Sequence, residues 1–195
     1  MNINEFKTAL SEGGARANLF EVTIATPPAG AGSLSNFKFL CKTTTIPTSV
    51  IAPISIPFMG RDIKMAGDST FDTWSTTIIN DEDFGISDTL ERWLDHIKGH
   101  EGVKQKIGKY KRTATVTQLD KQGEARKSYR FINAWPTSLT EIPLDMASGE
   151  IEEFSCVWNY DYWKSSTTGE TTFDAGTTIT SRGVDALEGP EAAGG

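Results

Sequence analysis

The sequence predicts a mainly β fold, an antiparallel β-sandwich or partial barrel with one flanking α-helix. Three observations point there. Runs in which apolar and polar residues alternate recur from Phe20 to Tyr162, so each run offers one face to a core and one to water. Clusters of Pro and Gly separate many of those runs. A single stretch, Ile86 to Ile97, repeats its apolar residues at helical spacing over several turns.

Taken in order, residues 1–14 read as a short amphipathic segment, with Ile3, Phe6 and Leu10 near helical spacing and Gly13-Gly14 as its stop. Phe20, Val22 and Ile24 then alternate with Glu21 and Thr23 as a strand. Thr26 to Ser33, TPPAGAGS, is a loop. Phe37, Phe39 and Cys41 alternate again, and Thr43-Thr44-Thr45-Ile46 prolongs that strand until Pro47. From Ile51 to Ala66 the pattern is a hairpin. Ile54 and Ile56 mark one arm, Ile63 and Met65 the other, and Met59-Gly60-Arg61 the bend. Pro53 and Pro57 have no N–H to give a ladder, so this hairpin is an edge or projects from the body. Phe71 to Ile79 follows as a further strand.

The helix presents Ile86, Leu90, Trp93, Leu94 and Ile97 as one apolar stripe. Asp88 and Glu91 favour the positive end of its dipole, and Gly99 ends it. A second hairpin runs from Tyr110 to Leu119, turns at Asp120-Lys121-Gln122-Gly123 and returns from Lys127 to Trp135. The last strand is long, with Phe154, Cys156, Trp158, Tyr160 and Tyr162 on one side. Beyond Lys164 the chain is rich in Thr, Gly and Ser with a few acids. The expected organisation is therefore one domain over residues 1–163 and an extension over 164–195, weakly ordered on its own.

Composition narrows the function. A net charge of -7 argues against a nonspecific nucleic-acid surface, which carries a basic excess. No apolar run reaches the roughly 18 residues of a membrane span, and MNINEFKTALSEGG lacks the basic start and apolar core of a signal peptide. Cys41 and Cys156 stand far apart in strand-like runs and read as buried thiols of a reducing cytosol.

Catalytic signatures are missing: there is no nucleophile elbow, phosphate-binding glycine loop or redox Cys pair. His96 and His100 have the spacing of a helical metal pair, but Gly99 interrupts the helix and no third His or Cys completes a site. Asp81, Glu82 and Asp83 precede the helix, where carboxylates satisfy free N–H groups and the dipole. Lys104, Lys106, Lys109, Lys111 and Arg112 form a basic run suited to a protein contact or a solvated loop. Thr113, Thr115 and Thr117 share one strand face, which fits either solvent or a smooth channel wall. No catalytic residue, metal or cofactor is expected.

Several strings carry a more specific signal. Within PFMGRDIKMAGDSTFDTW, Pro57 to Trp74, stand Ala66-Gly67-Asp68, Thr70-Phe71-Asp72 and Trp74. Around it, in order, come Asn18-Leu19-Phe20-Glu21-Val22, Cys41-Lys42 with Pro47, Asn80-Asp81-Glu82, Trp135-Pro136 and Asp161-Tyr162-Trp163. Over residues 5–163 this ordered set resembles the tail tube protein of contractile-tailed bacteriophages, the myovirus type. The loop from Thr26 to Ser33 is longer than that pattern requires, and residues 164–195 have no counterpart in it.

The resemblance implies a structural virion protein. It implies hexameric rings stacked into a hollow tube inside a contractile sheath, made in the host cytoplasm. Tail sheath, baseplate and tail terminator proteins would be its partners. Genomic DNA would pass through the lumen without specific binding, and nothing would insert into a membrane. Edge strands of neighbouring subunits would close a barrel between them. The same resemblance nominates Pro57, Phe58, Met59, Gly60, Arg61, Ile63 and Lys64 on the hairpin as subunit or ring contacts, with Ile3, Phe6 and Leu10 beside them. A net negative lumen is expected, because cationic walls hold phosphate. The alternatives are the tube subunit of a type VI secretion or phage-tail-like injection particle, and a monomeric β-sandwich binding module using Trp135, Tyr160 and Trp163. An enzyme built on Asp81 to Asp83 is a more distant one.

Overall fold

One long strand belongs to two antiparallel layers, and its bend decides the architecture. The computed structural model describes residues 2–9, 13–28, 30–99, 106–142, 144–147 and 149–167. The long strand is β7 (Ala125–Leu139). Its first half pairs with β6 (Arg112–Leu119) on one side and β9 (Tyr162–Thr167) on the other, and β1 (Phe20–Ile24) pairs with β6. Its second half pairs with β8 (Glu153–Asn159), followed outward by β5 (Trp74–Ile79) and β2 (Cys41–Thr44). Among the described residues the sheet does not close within one chain: β1, β9 and β2 each lack a strand on one edge.

The bend sits at Asn133. Its φ is 59°, a left-handed conformation that Asn tolerates, and the register with β6 slips between the pairs Arg112↔Ala134 and Ala114↔Phe131. Asp161 locks the corner from the other side. Its N–H donates to the Ile132 carbonyl at 3.0 Å, and its carboxylate accepts from Lys111 Nζ at 2.7 Å and Asn133 Nδ2 at 2.6 Å. Partial burial works against the Asp161 carboxylate, but those two hydrogen bonds and the Lys111 charge outweigh it and hold its pKa below the usual carboxylate range.

The core is aromatic. Trp74 stacks on Phe131 at 4.5 Å and tilts against Trp158 at 5.4 Å, while Trp93 and Phe37 meet Trp158 edge-on at 5.7 and 6.3 Å. Each buried indole N–H of the three tryptophans has an acceptor: Thr44 Oγ1 for Trp74, Thr76 Oγ1 for Trp158 and the Tyr110 carbonyl for Trp93. The flanking helix spans Gly85–Lys98, and it buries Ile86, Leu90 and Trp93 of the expected stripe, with Leu94 and Ile97 half-buried. Gly99, at φ 60°, ends it. Cys41 and Cys156 are buried free thiols, and burial pushes the Cys41 thiol up to about 12 and Cys156 up as well, so neither is an available thiolate.

Local readings of the body differ from the structure in several places. Phe37–Leu40 is a short helix rather than the start of a strand: Phe37 turns into the core, and the Asn36 carbonyl accepts from the N–H groups of Phe39 and Leu40. Ile107–Tyr110 is likewise helical, so β6 begins at Arg112. Phe71 ends the hairpin instead of opening β5. The last strand breaks at Tyr160-Asp161, because the chain must follow the bend of β7 to reach its other half; Tyr160 stays buried and Tyr162 is exposed. The expected boundary after residue 163 falls inside β9, and residues 168–195 lie outside those described.

Candidate assembly interface

Beyond β2 and β5 the same two chain segments run on as a separate ribbon, β3 (Ser49–Phe58) and β4 (Arg61–Phe71). At the usual strand rise it is about 33 Å long. It is longer than the Ile51–Ala66 hairpin read from the sequence, and of its strand residues only Gly67 and Phe71 are even half-buried. Such a ribbon is marginal in water alone. Its base is therefore what orients it. Phe71 packs edge-on against Tyr160 and Trp163 at 6.3 and 6.4 Å, and the Tyr160 hydroxyl donates to the Asp72 carbonyl at 2.5 Å. Burial first and the Asp72 charge second raise the Tyr160 phenol to about 12, so it remains a donor at neutral pH. The ribbon is thus tied to the corner that Asp161 locks.

Register sorts its side chains. Ile54↔Met65, Ile56↔Ile63 and Phe58↔Arg61 face one way, while Pro53↔Ala66, Ser55↔Lys64 and Pro57↔Asp62 face the other. With Val50, the first face carries six large apolar residues that are 45 to 58% exposed. The opposite face is short, polar or prolyl toward the tip, and Ile51, 60% exposed, joins it nearer the base. Near the base two residues of β4 oppose one of β3, a bulge at Gly67; a Cβ there would lie 2.6 Å from the Ala52 carbonyl oxygen.

The tip is a two-residue turn, Met59-Gly60, with φ 48° and 75°. Two successive positive φ values are the type I′ turn, whose first position prefers Asn, Asp or Gly. Met59 occupies it with a side chain 90% exposed. Local stability alone does not select that residue.

The nominated contacts are thereby divided. Phe58, Arg61 and Ile63 lie on the apolar face, Pro57 and Lys64 on the other, and Met59-Gly60 at the tip. Val50, Ile54, Ile56 and Met65 belong with the first group, and their alternation was the signal for it. Ile3 and Phe6 are exposed on a short helix, Ile3–Ala9, and Leu10 lies outside the described residues.

The other constellations have mostly local roles. Asp81 Oδ1 accepts from the Gly85 N–H at 3.1 Å, securing the start of the long helix. Lys111 joins the corner described above, and Arg112 donates to the Thr26 carbonyl at 2.7 Å; Lys104 lies outside the described residues. His96 is half-buried on the helix, His100 is outside the described residues, and among those described no cluster of three His, Cys, Asp or Glu suits a metal. Trp135, Tyr160 and Trp163 form no shared exposed platform: Trp135 packs on Tyr110, Tyr160 is buried, and Trp163 packs on Phe71 and Tyr129. Thr113, Thr115 and Thr117 do line one outer face, but the register aligns Thr23, Thr115, Arg130 and Lys164 across it, with Glu21 in the next row. In these two rows the threonine face carries Arg130 and Lys164 against one carboxylate, Glu21.

A family model described as "Phage tail tube protein" matches residues 15–166. The chain belongs to that family. Tail tube protein gp19 of Enterobacteria phage T4 is 34% identical over 154 residues, covering 77% of this chain and 91% of the phage protein. The tail tube protein of Serratia phage KSP90 is 31% identical over 165 residues, covering 81% and 93%. Among solved structures, a chain of the PVC sheath–tube complex of an extracellular contractile injection system, in the extended state, shares the fold. It has a TM-score of 0.58 and 18% identity over 82% of this chain and 97% of its own. A chain of the anti-feeding prophage baseplate also shares it, with a TM-score of 0.60 and 11% identity over 80% and 97%. The tail tube fold is the two-layer body described above, and eight of the sixteen exposed large apolar residues among those described lie on the ribbon.

Proposed function

We propose that this chain is the repeating protomer of a phage tail tube: six copies form a ring, and rings stack into a hollow tube inside a contractile sheath. The observation that carries the reading is the apolar ribbon, anchored at its base by Phe71, Tyr160 and Asp72 and left uncovered by the described residues of the single chain. Exposed apolar ribbons are a liability for a monomer and useful in an assembly. The edges that β1, β9 and β2 leave unpaired among the described residues suit a sheet completed by neighbours, and repeating one heterologous contact gives closure around a ring and extension along an axis. The protomer acts without catalysis. Sheath, baseplate and terminator proteins are its partners, DNA crosses the lumen without specific binding, and the product is part of the virion after synthesis in the host cytoplasm. The tube domain runs through β9 to Thr167, four residues past the boundary expected from the sequence, and residues 168–195 follow it as an appendage. The identity to phage relatives favours a phage tail over an injection particle, with which only the fold is shared.

Negative-stain microscopy of the purified chain across a concentration series, beside sedimentation, tests this. Rings or hollow tubes, alone or on added tube fragments as seeds, are the expected result. A monomer under every condition, seeds included, overturns the reading.

A further inference from the structure

The ribbon has two long edges, and they are chemically unlike. A two-residue turn makes Phe58↔Arg61 a hydrogen-bonded pair. Alternation then turns the backbone of Ile56↔Ile63 and Ile54↔Met65 inward, toward the opposing strand. The backbone N–H and C=O groups at Pro57↔Asp62, Ser55↔Lys64 and Pro53↔Ala66 therefore point outward, away from the ribbon. Both prolines of β3 fall on outward rungs, where their missing N–H costs the ribbon itself nothing. Between Pro53 and Pro57 the β3 edge keeps one outward donor, Ser55. Over the same rungs β4 offers three, from Asp62, Lys64 and Ala66.

We infer that the β4 edge is the strand-accepting edge of the ribbon, that its occupant is an edge strand of a second copy of this chain, and that Pro53 and Pro57 close the β3 edge to the same addition. This rests on the tube reading and gives it a direction. A strand laid on β4 completes a regular ladder, whereas on β3 it would strand two of its own carbonyls without donors. The chain can supply the occupant: among the described residues β1 and β9 each have an unpaired edge, and neither strand contains proline. One edge open and one closed also makes the contact directional, as a ring or stack of identical subunits requires.

Ser55 and Lys64 are cross-strand partners, so one rung provides a matched test. Lys64→Pro removes an outward donor from β4; Ser55→Pro removes one from β3; neither touches an inward bond. Lys64→Ala keeps the N–H and isolates the side chain. Circular dichroism and thermal melting confirm that each variant is folded, and the critical concentration for tube formation, with sonicated tubes as seeds, is the readout. Lys64→Pro should raise it about tenfold or more, clearly beyond Lys64→Ala, while Ser55→Pro stays within about twofold of the unaltered chain. Equal effects of the two prolines, or assembly by folded Lys64→Pro like that of Lys64→Ala, overturn the edge assignment and leave the tube reading standing. Failure of the unaltered chain to assemble on seeds overturns both.

Discussion

Ile56 and Ile63 face each other at the centre of the apolar face, 45% and 51% exposed, so together they present about the area of one whole isoleucine side chain. Burying that area in a subunit contact is worth about 1.5–3 kcal/mol. Replacing both with Thr keeps β-branching and strand propensity but forfeits much of the apolar surface, about 1–2 kcal/mol per contact. At 1.4 kcal/mol per decade, the critical concentration for assembly should rise roughly 5- to 30-fold. The folded monomer should hardly notice, because exposed substitutions shift stability by about 0.5 kcal/mol or less. Pelleting across a concentration series measures the first quantity and a thermal melt the second. A critical concentration within about twofold of the unaltered chain would refute burial of this face on assembly. A large fall in melting temperature would refute the claim that the ribbon is unpacked in the monomer.

Two further outcomes follow from the tip and the corner. Met59→Asn gives the type I′ turn its preferred residue, so the monomer should melt at the same or a higher temperature, while Met59→Asp and Met59→Asn should both weaken polymerisation; normal tubes from both would show that the tip makes no contact. The depressed Asp161 carboxyl stabilises the fold above the unfolded-chain pKa of about 3.9, and that contribution is lost as pH falls through the lower folded value. Asp161→Asn should accordingly lower stability at neutral pH by about 1–2 kcal/mol, by weakening the partners of Lys111 and Asn133, and flatten the acid-induced loss seen by melting from pH 6 to pH 3. An unchanged acid profile in that variant would remove Asp161 from the linkage.

Most of the strands were legible because burial of one face imposes period two. Val22, Ala114, Val116, Phe154, Cys156 and Trp158 are buried, as their alternation predicts. The long helix was equally legible, its stripe interrupted by nothing until Gly99. Alternation does not report where a strand bends. Tyr160 and Tyr162 keep the period of β8, yet the chain leaves that ladder at Asp161 because β7 bends at Asn133, a residue distant in sequence. Phe37 and Phe39 alternate too, but the core needs one ring against Trp158, and a single helical turn delivers it. The ribbon is a different case. Its prolines, its bend and its apolar arms were all visible, and what the sequence hid was parity: only the two-residue turn assigns Ile56, Ile63 and Phe58 to one face and sends the backbone of Pro53, Pro57 and Lys64 outward. Parity is also what turns a sticky ribbon into a directional one. An apolar face alone would bind any apolar surface, whereas an apolar face beside one open and one closed edge admits a partner in one orientation, the condition under which identical subunits can extend without aggregating.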